Sequence, residues 1–420
     1  MAIPGQRLSL FANIWRDAGA DPALQKLIKE GHKIPFEEGP PPCTLPSPDL
    51  ETKLSEEKMQ VIRQEISSLL SKGAIRMVTP EEAAKCPGHY SKIFAVPKPG
   101  EKWRVVINLK PLNEFVAKET FRMETARDVR TLLKPGDFGA VIDLTDAYYT
   151  VKLHESSRKY CRFIVDGIIY EYVALPMGLT CSARIFTRVA LFIGSRLRKN
   201  GVRILLYIDD LLIIAASEEI AKQHVQMLLK EVARFGFLLN EKKSNLLPSQ
   251  TFVYLGLAWN TLSWSVSIKP EREEKIRGNA KQLLEATTAS CRAVAVFLGR
   301  TNSSSGAVPL AKARVRRLQW DFLAVCTAAD LYDAQMDISD EARSELAFWA
   351  ELPSGLSSPI TLGPSSGTVT TDASEFGLGI SFDGHVVSEE IQEEYREFHI
   401  NVKELLALKR FLELFPDVRD

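Results

Sequence analysis

The chain has 420 residues, 45% of them hydrophobic and 25% charged, proportions that exclude a disordered or fibrous chain and fit a soluble globular protein. Its 53 basic and 53 acidic side chains cancel, so net charge argues neither for nor against a nucleic-acid partner, and any basic surface must be local. The length implies roughly two to four domains; with no run of about 20 apolar residues no transmembrane helix is expected, and residues 1–7 lack the apolar core of a signal peptide. Cys43, Cys86, Cys161, Cys181, Cys291 and Cys326 are scattered without a C-x-x-C, which argues against a zinc ribbon and a disulfide framework. Cytoplasm or nucleus is the simpler compartment.

In chain order, residues 1–54 read as an arm or linker with a short helix around Leu10–Leu27 and a stiff extended stretch at Gly39-Pro40-Pro41-Pro42. Ser55 to Gly73 reads as an amphipathic helix with Met59, Ile62, Ile66, Leu69 and Leu70 on one face, Ser55 as its cap and Gly73 as its stop. Two β-rich runs between Ser91 and Asn108 flank a Lys-Pro-Gly turn and predict a hairpin carrying Lys98, Lys102 and Arg104. Such a hairpin is either a solvated edge or a finger that contacts phosphate. A third hairpin-like region spans Ala140–Tyr149, with a strand ending at Asp143, and Ile164–Val173 predicts a strand pair turning at Asp166-Gly167. Leu175-Pro176-Met177-Gly178-Leu179 leads into a helix over Arg184–Leu197.

Arg203–Ala215 places Asp209-Asp210 between two apolar runs, which reads as a hairpin with the two aspartates as its turn. Bare carboxylates are costly inside an apolar sheet, so this tip is either an ordinary surface turn or a metal site. Ser217 caps a second helix with Ala221, Val225, Leu228, Val232 and Phe235 buried, ended by Gly236. Strand, helix, hairpin, helix and strand in this order suit a split β-α-β-β-α-β sheet with helices on one face. From Lys269 to Leu331 the pattern is helical and includes the basic run Lys312, Arg314, Arg316, Arg317, and a capped helix with Leu346, Phe348 and Trp349 follows Ser339. Leu352–Pro359 reads as a linker, and Thr368 opens a new β-rich unit.

Asp143 also ends an apolar strand, and in a split sheet that strand can neighbour the Asp209-Asp210 hairpin, which brings three carboxylates together. An all-oxygen set favours Mg²⁺, or Mn²⁺ as a substitute, over zinc. Two such ions about 4 Å apart can activate a 3′-hydroxyl and stabilise a leaving pyrophosphate.

Asp143-Leu-Thr-Asp-Ala-Tyr148 together with Tyr207-Ile-Asp-Asp210 resembles the reverse transcriptases. Further blocks follow in that family's order: Val96-Pro-Lys98, Lys102-Trp-Arg104 and Leu112-Asn113, then Leu175-Pro-Met-Gly178 with Ser182 and Phe186, then Gly236–Lys243, then Tyr254-Leu255-Gly256. The resemblance covers roughly residues 55–330 and implies an α+β, right-hand polymerase: fingers over 55–142, palm over 143–260 with a fingers part near 155–175, a helical thumb over 261–335 and a connection over 336–365. It implies that Asp143 and Asp209 ligate both metals with help from Asp210 and the Leu144 carbonyl. It places Tyr148 under the sugar of the incoming nucleotide, Lys98 and Arg104 on the triphosphate, and Lys243 as donor to the pyrophosphate. Tyr254, Leu255 and Gly256 would grip the primer. Met177 departs from the Gln or Phe common in its block and can serve as an apolar floor. The implied partners are an RNA or DNA template, a DNA or RNA primer and dNTPs.

Thr371-Asp372-Ala373-Ser374 with Gly377-Leu378-Gly379, and His399–Leu408 with Glu404, resemble the first strand and the carboxylate-bearing helix of a ribonuclease H, an α/β unit over 366–420. The family's remaining carboxylates are expected beyond Asp420, because Asp417 and Asp420 come too early, so no competent ribonuclease H is expected from these residues alone. Within the family, Trp15, His32-Lys-Ile-Pro35, Ala347-Phe-Trp349 and Ile400–Glu404 are most similar to DIRS-type, tyrosine-recombinase retrotransposons, with gypsy-type elements and pararetroviruses next. The alternative functions are a catalytically silent, domesticated nucleic-acid-binding relative, which the intact aspartates oppose, and an RNA-dependent RNA polymerase, which Tyr148 opposes.

Overall fold

The structure is a computed structural model that describes residues 3–98, 102–361 and 367–416, without side-chain detail at positions 98, 102, 329 and 330. The chain folds as a large unit, residues 1–360, and a small one, residues 361–420.

The large unit is organised on a four-stranded antiparallel sheet whose spatial order is Arg203–Tyr207, Asp210–Ala215, Phe138–Asp143, Asn245–Ser249. The helices Ser182–Lys199 and Glu218–Arg234 make the crossovers, which gives the split β-α-β-β-α-β topology. Successive side chains of a strand point to opposite faces, and here both faces are covered. Ile204, Leu206, Leu211 and Ile213 pack in one core with Ile185, Val189, Val225 and Leu228 of the helices. Leu205, Leu212 and Ile214 pack in a second core with Phe252, Tyr254 and Trp259. This two-sided burial is why the strands read as continuous apolar runs. The helix Glu218–Arg234 is capped by Ser217, whose hydroxyl accepts from the Ile220 N–H.

The expected third hairpin near Ala140–Tyr149 is instead the single central strand Phe138–Asp143 followed by a 3-10 turn, Ala147–Thr150. Asp146 adopts a left-handed φ of 48° and turns the chain out of the sheet before a second strand can form.

In the fingers region the helix Glu56–Ser71 buries Met59, Ile62, Ile66 and Leu69, and Gly73 closes it at φ +65°. Ser55 stands at the cap position, but its side chain accepts no capping hydrogen bond, unlike the expectation. The strands Ile93–Lys98 and Lys102–Ile107 pair as predicted, and Arg162–Val165 and Ile168–Tyr172 turn through Asp166 and Gly167, both at positive φ as a two-residue hairpin requires. A buried ion network fixes this subdomain: Arg162 Nε lies 3.0 Å and Arg76 Nη2 2.7 Å from the Glu171 carboxylate.

Residues 1–54 are not a loose arm. The predicted helix is broken at Ala18–Asp21 into Ala12–Asp17 and Pro22–Glu30. Trp15 is fully buried against Phe192, Phe235 and Phe237 and donates its indole N–H to the Phe235 carbonyl at 3.2 Å.

The region after the palm departs further from expectation. It begins with a sheet, Thr251–Tyr254, Leu257–Asn260 and Ser265–Ile268, before the helices Pro270–Glu285, Cys291–Ser303 and Arg316–Val325. Residues 336–360 are part of the same core rather than a linker: Leu346 and Trp349 of the helix Asp340–Ala350 are fully buried with Ile276 and Phe297, and Ser357–Pro359 adds a fourth strand to the sheet. The basic run is used internally at Arg314, which stacks 3.9 Å over the Phe348 ring and whose carbonyl accepts from the Trp349 indole.

The small unit is an antiparallel meander, Val369–Ala373, Gly377–Phe382 and His385–Glu390, with the helix Ile400–Leu414 packed on it through Ala407 and Phe411. Among the described residues no helix is long and apolar enough to cross a membrane.

Candidate active site

The sheet register builds the site. Asp143, the last residue of its strand, is paired directly with Asp210, the first residue of the neighbouring strand. Tyr207 pairs with Asp210, so the two-residue turn is Ile208-Asp209 rather than Asp209-Asp210. Ile208 takes a φ of +54°, uncommon for a β-branched residue and strained by about 1–3 kcal/mol. The Leu144 N–H donates to the Asp209 carbonyl at 2.9 Å and ties the turn to the central strand. Below the hairpin, Arg203 makes a two-pronged 2.6 Å contact with Asp137, which is 2% exposed.

The electrostatics follow from crowding three carboxylates at the sheet edge. Asp143 is buried, its N–H donates to Ser244 Oγ at 3.0 Å, and its Oδ1 has no hydrogen-bond partner. Burial raises the Asp209 carboxyl, and the Asp143 charge raises it further. Burial, then Asp209, then Asp143, push Asp210 up to about 6. The exposed Lys243 ammonium sits 3.8 Å from Asp143 Oδ2 and partly offsets the repulsion at both. As the side chains stand, no three acidic, His or Cys groups among the described residues already converge into a metal cage. The donor set nevertheless fits a hard divalent cation: all oxygen, mutually repelling, and with a buried carboxylate oxygen left unsatisfied.

The other expected residues take three positions. Tyr148 stands in the 3-10 turn after Asp143, half-buried, edge-on to Phe186 at 5.8 Å. Its hydroxyl is raised by burial and then by the Asp209 and Tyr207 charges. Arg104 and Met177 are exposed and line one cavity of about 670 Å³ under the fingers hairpin. The Lys98 side chain, with Pro99 and Gly100 of the turn, lies outside the described residues. Tyr254 pairs with Leu257, so Leu255 (φ +52°) and Gly256 (φ +75°) form a tight turn. Buried Tyr254 donates its hydroxyl to the Asp210 carbonyl at 3.2 Å, bracing that turn on the aspartate hairpin.

Asp372 is exposed in the strand Val369–Ala373, and Glu404 is half-buried in the helix that packs on that strand. Lys72 carries no signal in the sequence, yet its ammonium lies 2.9 Å from Asp146 in the same cavity as Arg104. Asp146 falls inside a recognised motif, but its spacing carries no sign of a partner 74 residues earlier.

Residues 96–259 match the family model described as reverse transcriptase (RNA-dependent DNA polymerase). The Gag-Pol polyprotein of Bovine immunodeficiency virus (strain R29) is 28% identical over 200 residues, covering 45% of this chain and 13% of that one. The enzymatic polyprotein of Soybean chlorotic mottle virus is 28% identical over 220 residues, covering 52% of this chain and 31% of that one. The chain thus spans a third or less of the length of these curated relatives. Among solved structures, the foamy viral protease-reverse transcriptase in complex with an RNA/DNA hybrid superposes with a TM-score of 0.61 at 18% identity, covering 98% of this chain and 56% of that one. A second structure of that protein, with dsDNA, gives 0.58 at 18% identity, covering 98% of this chain and 86% of that one. The fold is that of a right-hand polymerase, and its central segment, residues 96–259, is similar to the reverse transcriptase domain carried by retroviral and pararetroviral polyproteins.

Proposed function

We propose that the protein is an RNA-directed DNA polymerase that adds dNTPs to a primer 3′ end paired to an RNA or DNA template. The observation that carries this reading is the pairing of Asp143 with Asp210 and the tie from Leu144 to Asp209, which gather three carboxylates at one edge of a rigid sheet. Asp143 and Asp209, helped by Asp210 and the Leu144 carbonyl, would hold Mg²⁺, with Mn²⁺ as a substitute. When bound, the metal ions supply a hard positive charge that lowers the pKa of the primer hydroxyl and neutralises the phosphates.

The chain's own groups do the rest. Tyr148, braced by Phe186, sets a ring where a ribose 2′-hydroxyl would stand and thereby selects deoxynucleotides. Arg104, with Lys98, binds triphosphate oxygens, and Met177 floors the pocket. Lys243 is positioned beside Asp143 to donate a proton to the departing pyrophosphate. The turn Tyr254-Leu255-Gly256, fixed to the Asp210 backbone, holds the primer end in line with the carboxylates.

Two finer readings accompany this one. The motifs at Trp15, His32–Pro35, Ala347–Trp349 and Ile400–Glu404 support origin in a DIRS-type retrotransposon. The meander and helix bearing Asp372 and Glu404 support the start of a ribonuclease H unit. Cytoplasm or nucleus is the compartment that suits this activity. The decisive test is extension of oligo(dT) on poly(rA) with dTTP and Mg²⁺: the wild-type chain should extend the primer and Asp209→Asn should not. Full extension by Asp209→Asn would refute the assignment.

A further inference from the structure

The cavity of about 670 Å³ beneath the fingers hairpin holds two acids, Glu65 and Asp146, and two bases, Lys72 and Arg104. Of these four only Arg104 has a role so far, and the two carboxylates beside it oppose the polyanion the pocket is expected to take. Lys72 ends the fingers helix, where a cation also suits the helix dipole. Its backbone is held on both sides: its N–H donates to Ser68 at 2.9 Å and its carbonyl accepts from Gly5 at 2.8 Å. Its ammonium donates to Asp146 Oδ1 at 2.9 Å with the side chain still 33% exposed. Asp146 itself stands in the left-handed region, and its carbonyl accepts from the Tyr149 N–H at 2.9 Å, so the backbone that carries the carboxylate is fixed. An ammonium has three donors and Asp146 uses one, which leaves two for phosphate oxygens.

Resting on the polymerase reading above, we propose that Lys72 is a further cation for the triphosphate of the incoming nucleotide, beside Arg104 and Lys98, held ready in the cavity by Asp146. Asp146 keeps the ammonium pointed into the pocket when no nucleotide is present, and Lys72 cancels the charge that would otherwise repel one. Burial raises the Glu65 carboxyl, while the Lys72 charge lowers it and the Asp146 charge raises it, so Lys72 is close enough to act on both acids of the cavity.

The test compares wild type, Lys72→Met, Lys72→Arg and Asp146→Asn in two assays of the full chain. In dTTP incorporation on poly(rA)/oligo(dT), Lys72→Met should raise KM about tenfold with kcat within about threefold, as expected for one lost charge-assisted phosphate contact. Lys72→Arg should restore KM to within about threefold, and Asp146→Asn should fall between. In calorimetric binding of inorganic tripolyphosphate, which needs no turnover, Lys72→Met should weaken the Kd by a similar factor. An unchanged KM and unchanged tripolyphosphate affinity in Lys72→Met would overturn the proposal, as would an Arg variant as impaired as Met. If Lys72→Met does not fold, Lys72→Gln must show the same tripolyphosphate loss for the proposal to stand. A wild type that binds tripolyphosphate through Lys72 but incorporates no dNTP would refute the polymerase reading and leave the binding role intact.

Discussion

Replacing Asp209 with Asn should separate activity from stability, in opposite directions. The three aspartates are held together by the sheet register and the Leu144 hydrogen bond, not by mutual attraction. Their crowding raises Asp210 from its ordinary value of 3.8 to about 6, with burial the largest cause and Asp209 next. Between those two pH values the folded chain binds more protons than the unfolded chain, so stability falls as pH rises through the window, and the whole penalty is present at neutral pH. Asp209 accounts for only part of a shift led by burial. Removing its charge should return on the order of one unit, and after discounting for solvent at a partly exposed edge this is about 1 kcal/mol. Asn is tolerated in a tight turn, so no new strain offsets the gain. In EDTA at pH 7.5, Asp209→Asn should therefore melt about 2 °C higher than wild type, while primer extension falls by about a thousandfold or more. The stability gain should shrink as pH is lowered through about 5, because Asp210 then protonates in both proteins. A variant that melts several degrees lower, or whose advantage is independent of pH, would refute the account of the carboxylates as a repelling, preassembled set.

Tyr148→Ala should raise ribonucleotide incorporation relative to deoxynucleotide by roughly 10- to 200-fold, whereas Tyr148→Phe should leave the ratio unchanged because the ring on Phe186 remains; single-nucleotide incorporation with dTTP and UTP measures both. Glu171→Gln should cost about 3–5 kcal/mol in urea denaturation, since it leaves buried Arg162 without its counter-charge, and a cost below 1 kcal/mol would show that the network is solvated. His32 is buried and held at about 4 by desolvation and then by the Arg184 charge. The unfolded chain takes up a proton below about 6.5 that the folded chain refuses, so stability is lost as pH falls from about 6.5 towards 4, by up to about 3 kcal/mol. His32→Gln should remove that slope from urea midpoints measured across the window.

The parts of the molecule legible in the sequence are those whose signal is local. The helices Glu56–Ser71 and Glu218–Arg234 announce themselves by period, and the aspartate hairpin by two apolar runs and a gap. The strand Phe138–Asp143 looks like half of a hairpin in the sequence because both of its partners are distant and the turn at Asp146 depends on a single left-handed residue. The turn at Ile208-Asp209 was shifted by one residue for a related reason: propensity disfavours Ile at positive φ, and only the pairing of Tyr207 with Asp210 decides it. Residues 1–54 and 352–359 read as linkers because prolines and glycines interrupt their apolar residues before a long periodic stripe can form. Trp15, in the first of them, is nonetheless fully buried, since one large ring can close a core that no periodic stripe reveals. The Lys72–Asp146 contact had no signal at all, because an ion pair across 74 residues leaves no spacing to recognise.

Three of the eight non-glycine residues at positive φ among the described residues lie beside groups with an assigned chemistry. Asp146, Ile208 and Leu255 are non-glycine residues at positive φ, and each lies in a turn that aims a named group: Asp146 leads into Tyr148, Ile208 precedes Asp209, and Leu255 forms the turn held to the Asp210 carbonyl. A glycine would adopt these angles more readily, but it would also let the turn sample other conformations. A branched side chain at Ile208, packed against the helix-side core, has fewer alternatives once folded. Ile208→Gly sets relief of the strain against the loss of a partly buried side chain and a freer unfolded chain, so equilibrium stability should change little, while primer extension falls because the tie between Asp209 and the central strand loosens. The informative measurement is hydrogen exchange at the Leu144 amide, whose only partner in the sheet is the Asp209 carbonyl. Faster exchange there, with the melting temperature unchanged, would show that the strain serves to fix the carboxylate. Unchanged exchange with full activity would show that the left-handed isoleucine is incidental to the site.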